Sequence, residues 1–242
     1  MRKFATFLFL ILLSSNAFAG VVFSEIDVQD CDTASSCTDT EHAGGGAGTI
    51  TLVAQASDDS TATDRDTQGC TQGGVAMTRV SDNEVIGGNS ELDVFYSIQG
   101  TPGDIVCTWG GAVTGGGMIS VTYTGILITG NPNTVAENSA SPNTVVQQTI
   151  TPTVDNVMLV DFVTNTIGST SYTPDNGQTE RADSAIGGLT FASSEKQAAV
   201  GKAYTMGQTT LSSGGLAYKI VAIRPSVTSV NSLGVDSLGV TS

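Results

Sequence analysis

An all-β fold, a single antiparallel β-sandwich, is what this sequence predicts, and two observations carry the prediction. Apolar and polar residues alternate with a period of two wherever a pattern can be read, as in Ile119, Val121 and Tyr123 against Ser120, Thr122 and Thr124. Between the alternating runs stand Gly and Asn/Asp/Ser clusters, among them Gly44-Gly45-Gly46, Gly87-Gly88-Asn89, Gly115-Gly116-Gly117 and Gly214-Gly215, which supply the positive φ values of tight turns. Strands are accordingly expected over 50–54, 77–80, 92–98, 105–109, 119–124, 145–150, 157–163 and 217–223. No helix of normal length is expected. The best helical run, 193–200, holds Glu195, Lys196 and Gln197 but sits between strand-like segments and reads equally well as an edge strand.

The chain opens with Arg2 and Lys3, an apolar run over 4–13, and Ala17-Phe18-Ala19, the three-part layout of a secretory signal peptide cut after Ala19. The run is about half as long as a bilayer core requires, and no later apolar stretch reaches spanning length, so no membrane span is expected after cleavage. No Cys follows the cut, so a lipid anchor is not indicated. Loss of Arg2 and Lys3 leaves seven basic residues against 23 acidic ones, and the net charge of the whole chain, −14, becomes −16. A chain so acidic repels a polyanion and cannot displace phosphate counterions, which excludes nucleic acid as a partner. A secreted, extracellular or cell-surface protein, or one in a bacterial periplasm, is the expected product.

In such an oxidising compartment the four cysteines, Cys31, Cys37, Cys70 and Cys107, are expected to form disulfides. Of the three connectivities, Cys31 with Cys37 and Cys70 with Cys107 is favoured: the first two are separated by a short polar stretch, and the others fall in segments expected to be neighbouring strands. Zinc is the rival reading, weakened by a single histidine, His42, and by the lack of any Cys-x-x-Cys pair.

The order of features repeats between the two halves. Leu52-Val53 is matched by Leu159-Val160, Thr78-Arg79 by Glu180-Arg181, 92–98 by 190–197, and the glycines before Met118 by Gly214-Gly215 before Leu216. A sheet must bury its apolar face against a second layer, so two such halves, one sheet each, are expected to close face to face into one sandwich of eight to ten strands. The expected organisation is a leader at 1–19, an acidic Cys-containing segment at 20–48, a sandwich at 49–225 built of pseudo-repeats at about 49–130 and 143–225, and a flexible tail at 226–242, where Asn231-Ser-Leu-Gly-Val is echoed by Asp236-Ser-Leu-Gly-Val.

Gly177-Gln178-Thr179-Glu180-Arg181-Ala182-Asp183, then Ser213-Gly214-Gly215, then Ile220-Val221-Ala222-Ile223-Arg224-Pro225 resembles the two-repeat jelly-roll-like β-sandwich modules of exported bacterial and phage-associated proteins. Thr122-Tyr123-Thr124-Gly125 looks like the pattern that closes the first half of that group. The likeness spans 49–225, and the chain departs from it where Gln178 and Ala76 replace the group's usual tryptophan. The resemblance implies a jelly-roll-like sandwich with surface or structural roles and no shared catalytic residues.

Candidate sites are few. Asp58, Asp59, Asp64 and Asp66 crowd onto one loop and could ligate calcium, a hard cation that takes six to eight oxygens, although the bidentate Glu of an EF-hand is missing because Val75 stands in its place. A weaker acidic candidate runs through Asp27, Asp30, Asp32, Asp39 and Glu41. Trp109 is the sole tryptophan, expected beside the Cys107 disulfide in the core, and Tyr172, before Thr173-Pro174-Asp175, is the aromatic expected to be exposed; these two are the candidates for stacking on a sugar. There is no Gly-x-Ser-x-Gly elbow, and His42 precedes a glycine run, which argues against a Ser-His-Asp triad. Glu91, Glu180 and Glu195 are the carboxylates a glycosidase could use, and Glu180 beside Arg181 reads as a surface ion pair. The function expected is a non-catalytic exported sandwich that is structural, adhesive or ligand-binding, with an extracellular glycan or a surface protein as partner and no cofactor beyond calcium. The alternatives are a carbohydrate-active hydrolase or lyase and a virion-associated structural protein.

Overall fold

The computed structural model describes residues 20–58, 67–81, 85–87, 90–167, 171–175, 177–186 and 188–226. The expected leader, nearly all of the expected tail, and Asp59, Asp64 and Asp66 lie outside the described residues.

Among the described residues, ten strands come from the first half of the chain: β1 (Val22–Asp30), β2 (Ser36–Asp39), β3 (Thr49–Asp58), β4 (Thr67–Gln72), β5 (Val75–Ala76), β6 (Thr78–Arg79), β7 (Val85–Gly87), β8 (Ser90–Ile98), β9 (Ile105–Trp109) and β10 (Gly115–Thr124). Six come from the second: β11 (Thr134–Ile150), β12 (Val157–Asn165), β13 (Tyr172–Pro174), β14 (Thr179–Ile186), β15 (Leu189–Ala198) and β16 (Tyr204–Ile223). No helix occurs among the described residues. The run over 193–200 falls mostly in β15, which is hydrogen-bonded on both sides, by β12 and β14, and is therefore not an edge strand.

All strand pairs among the described residues are antiparallel. The first half makes a large sheet in the order β1-β10-β3-β8-β6, with β7 also on β8, and a small sheet in the order β2-β9-β4-β5. The second half makes β11-β16-β12-β15-β14, with β13 on β16. β11 and β16 are long enough to serve two layers. Residues Thr134 to Ala140 of β11 pair with Ala222 to Leu216 of β16, and beyond an irregularity at Asn143, Val145 to Ile150 pair with Thr209 to Tyr204. β13 joins only that outer part, with Tyr172 opposite Thr210. The inner order β11-β16-β12-β15 repeats β1-β10-β3-β8, and the outer order β11-β16-β13 repeats β2-β9-β4.

Each half thus alternates between two layers in the strand order of a jelly roll, and the two larger sheets face each other. Alternation within each strand decides which core a residue joins. Ile50, Leu52, Ala54, Leu92, Val94, Ile119, Val121 and Tyr123 from the first half meet Met158, Val160, Phe162, Leu189, Phe191, Ala217, Val221 and Ile223 from the second in one shared core. Each such fully buried Leu, Ile, Val or Phe contributes roughly 1.5–3 kcal/mol. On the far side of the first large sheet, Val53, Phe95 and Met118 pack against Cys37, Cys70, Ile105, Cys107 and Trp109 of the small sheet. On the far side of the second, Leu159, Val163, Leu216, Tyr218 and Ile220 pack under Val146, Ile150, Tyr172 and Met206.

Three expectations are corrected by this arrangement. Each half supplies two layers where one sheet was expected, because its outer strands or strand segments carry an apolar face of their own that needs cover. The segment 20–48, set apart from the sandwich in the sequence, supplies β1, paired to β10 along its length, and β2, paired to β9. Every pair of matched segments occupies the same place in its half's strand order, but Leu52 and Val160 are the inward residues of their strands. Pairing Leu52-Val53 with Leu159-Val160 is therefore one residue out of register, which in a strand exchanges the faces.

The ends of the folded body meet at the junction between the halves. Ser226 N–H donates to the Gly125 carbonyl at 2.7 Å, and Ile126 bridges to Pro225. Gly125 has φ 72° and lies so close to the Gly20 carbonyl that a side chain there would collide with it.

Candidate functional site

The cysteines pair as Cys31–Cys37 and Cys70–Cys107. Cys70 and Cys107 stand directly opposite one another in the β4–β9 ladder. With every cysteine oxidised, no thiolate is left for zinc. Trp109 is 4% exposed and packs beside both Cys70 and Cys107. Tyr172, expected to be exposed, is 2% exposed and belongs to the second outer core. The Tyr-Thr-Pro stretch that resembles a loop pairs as β13, and this turns Tyr172 inward and leaves Thr173 outside. Neither aromatic offers a face to a sugar. Asp58 ends β3, where its carbonyl accepts from the Thr114 hydroxyl at 2.8 Å; the remaining aspartates of the expected calcium loop lie outside the described residues.

The chemistry of this protein is concentrated in buried polar clusters. On the outer face of the first large sheet, His42 Nδ1 lies 2.8 Å from Asp27 Oδ2 and His42 Nε2 lies 2.8 Å from Thr122 Oγ1. Thr51 Oγ1 is 2.8 Å further along. Acid, imidazole and hydroxyl stand in the order of a nucleophile relay. Access is what they lack: Thr122 and His42 are buried, and a side chain at Gly44 would strike both Thr122 Oγ1 and His42 Nε2. No space remains for a reacting carbonyl. Glu25, Asp27 and His42 bring three ligand-type atoms within 4.8 Å, yet both ring nitrogens of His42 already hold partners. Asp39, also buried, accepts from the backbone N–H groups of Glu41 and His42 and from Ser120 and Gln29. Together these bonds fasten the loop after β2 to the sheet.

The second half has its own cluster. Asp161, fully buried on the outward side of β12, accepts from Ser194 N at 2.8 Å, Ser194 Oγ at 2.7 Å, Gln208 Nε2 at 3.1 Å, Gln178 Nε2 at 2.8 Å and Tyr218 Oη at 2.7 Å. Burial pushes its carboxyl up to about 6, against the hydrogen bonds from Tyr218, Ser194 and Gln208, which lower it.

Two further sets of charges link the two halves. Tyr123 Oη of the first half donates to Glu195 of the second at 2.7 Å, and Arg181 closes on the other Glu195 oxygen while stacking on the Phe23 ring. Arg181 therefore pairs with Glu195, and not with Glu180, which is exposed. An equivalent pair occurs in the first half, where Arg79 Nε lies 2.7 Å from Asp93 Oδ2 and the guanidinium covers Phe95. The other set is Lys219, Glu137, Ser81 and Asp93.

Of the carboxylates a glycosidase would need, Glu91 and Glu195 are buried, with Ser57 donating to Glu91 and Tyr123 and Arg181 donating to Glu195. A depression of about 430 Å³ opens beside β4, β6 and β8, lined by Gln68, Thr71, Met77, Arg79, Phe95 and Thr108 among others, with no carboxylate among the described residues of its wall. Sequence reasoning passed over Asp161, Lys219 and Asp93. The available signal was a lone charge inside an apolar strand, as in Met-Leu-Val-Asp161-Phe-Val and Ala-Tyr-Lys219-Ile-Val. Compared with protein-family models, with curated proteins and with solved structures, the chain matches none. The described residues hold two disulfides and no helix long and apolar enough to cross a membrane.

Proposed function

We propose that this chain is an exported, non-catalytic structural module that acts through its outer surface. The observation that carries the reading is closure: the one acid–imidazole–hydroxyl relay is sealed beneath Gly44, and the buried carboxylates are held by protein donors. Groups that hydrogen-bond one another in a dry interior specify and stiffen a fold. A leader-like N-terminus, two disulfides and high acidity support an extracytoplasmic setting. With Trp109 and Tyr172 in the cores, protein contact is favoured over sugar stacking.

The jelly-roll strand order recurs in viral capsid and lectin domains, a fold-level analogy that places virions among the partners to be tried. The test sets binding against turnover. Purified protein is incubated with cells, virions and a panel of polysaccharides. Retention on a cell or virion surface without sugar release is expected. Polysaccharide cleavage that disappears in Glu91→Gln, Glu180→Gln or Glu195→Gln would replace the structural reading with the hydrolase one.

A further inference from the structure

Lys219 lies on β16 between Ala217 and Val221, which belong to the shared core, and its side chain is wholly buried. Its Nζ is 3.4 Å from Asp93 Oδ1, 3.3 Å from Glu137 Oε1 and 3.0 Å from Ser81 Oγ. Glu137 stands directly across the β11–β16 ladder from Lys219, whereas Asp93 comes from β8 of the other half. Asp93 is itself polarised at both oxygens: Val94 N–H donates to Oδ1 at 2.8 Å and Arg79 Nε lies 2.7 Å from Oδ2. Ser81 donates to Glu137. An amine and a carboxyl carbon are thus held together in a water-excluded interior, with a second carboxylate, partly exposed, at its rim.

A buried ion pair is a weak source of stability, since desolvation offsets the attraction. The same three groups in the same arrangement are, however, suited to a reaction. We propose that Lys219 and Asp93 condense into an intramolecular isopeptide bond that staples the two halves, with Glu137 carrying the protons. One proton of the Lys219 ammonium first passes by way of Glu137 to Asp93 Oδ1; the neutral amine Nζ then attacks Cγ of the neutral acid, and the new bond is Nζ–Cγ. Oδ2, beside the Arg79 guanidinium, takes the charge of the tetrahedral intermediate and returns as the amide carbonyl. The Cγ–Oδ1 bond breaks. A second of the three ammonium protons follows by way of Glu137 to Oδ1, which departs as water; the third stays on the amide nitrogen. The reaction is a condensation in which nothing is oxidised or reduced, and no co-reactant is required.

Burial pushes the Asp93 carboxyl up to about 6, against the pull of Lys219 and Arg79, and this enlarges the share of the neutral acid, the electrophilic form. Fixed proximity supplies the rest, since oriented groups inside a protein behave as if at very high concentration. The product also removes two buried charges.

Intact-mass spectrometry of the full purified chain, reduced, denatured and with its N-terminus read, decides the matter. The wild-type chain is expected to be lighter than its sequence by one water, and peptide mapping is expected to join the fragment holding Asp93 to that holding Lys219. Glu137→Gln and Lys219→Arg are expected to show full mass. Asp93→Asn, which can lose ammonia in place of water, is expected to give the same cross-linked fragments. A wild-type chain of full mass would overturn the proposal. So would a water loss that maps elsewhere or persists in Lys219→Arg. The wild-type measurement does not depend on whether a variant folds.

Discussion

The two halves of this molecule share a strand order and differ in what locks their outer layers. In the first half the small sheet is held by two disulfides, with Trp109 and Met118 filling the space around them. In the second there are no cysteines, and the outer layer is held by Asp161, which gathers Ser194, Gln208, Gln178 and Tyr218 around one carboxylate. The difference teaches that patterning sets the topology while the locking chemistry is interchangeable. The halves also differ in continuity. β11 and β16 run unbroken from inner to outer layer, whereas the corresponding stretches of the first half are broken into β1 and β2 and into β9 and β10.

The sharpest way to break the comparison is to remove the carboxylate. Asp161→Ala leaves several buried donors without an acceptor and is expected to cost about 3–5 kcal/mol, read by urea unfolding. A loss under about 1 kcal/mol would mean that packing alone holds the second outer layer. Replacing Cys70 and Cys107 by Ala is expected to cost about 4 kcal/mol, and replacing Cys31 and Cys37 about 2 kcal/mol, following the loop lengths in the chain-entropy account. If the comparison is right, proteolysis of the variant lacking Cys70 and Cys107 begins in the first half.

A smaller effect is set by pH. The folded carboxyl of Asp161 lies near 6 against its usual 3.8, so the folded state holds the proton more tightly than the unfolded chain. Its contribution is full below about pH 4 and is lost as pH rises through 6, a change on the order of 2–3 kcal/mol. Melting curves between pH 4 and 7 are expected to show a shallower fall in Asp161→Asn than in the wild type, and parallel slopes would remove the assignment. The smallest effect is expected from His42→Ala, about 1 kcal/mol, because Asp27 is partly exposed and regains water.

Much of this was legible in the residues. Alternation located β3, β8, β10, β12 and the inner part of β16, since each carries a run of inward apolar residues such as Ile50, Leu52 and Ala54. β1 was hidden because it is an edge strand whose Glu25, Asp27 and Asp30 blur the period. In the outer layer of the first half β9 was legible, but β2 and β4 were hidden because they are short and built from Ser, Thr, Cys, Gln and Gly, which read as turn and loop. Tyr172 was misplaced because a three-residue strand leaves too little pattern to separate from the Pro-Asp turn after it. The buried charges owe their partners to strands far apart in sequence, and no local spacing could join Asp93 to Lys219.

Gly20 and Ser226 both rest against Gly125, so the described body has its entrance and its exit at one corner. Tension applied through the two ends would load that corner alone and pass by the four layers, as it passes by a bead hung from a thread. The same closeness allows the ends to be joined by a short linker and the chain opened elsewhere, a rearrangement that compact bodies with neighbouring termini tolerate.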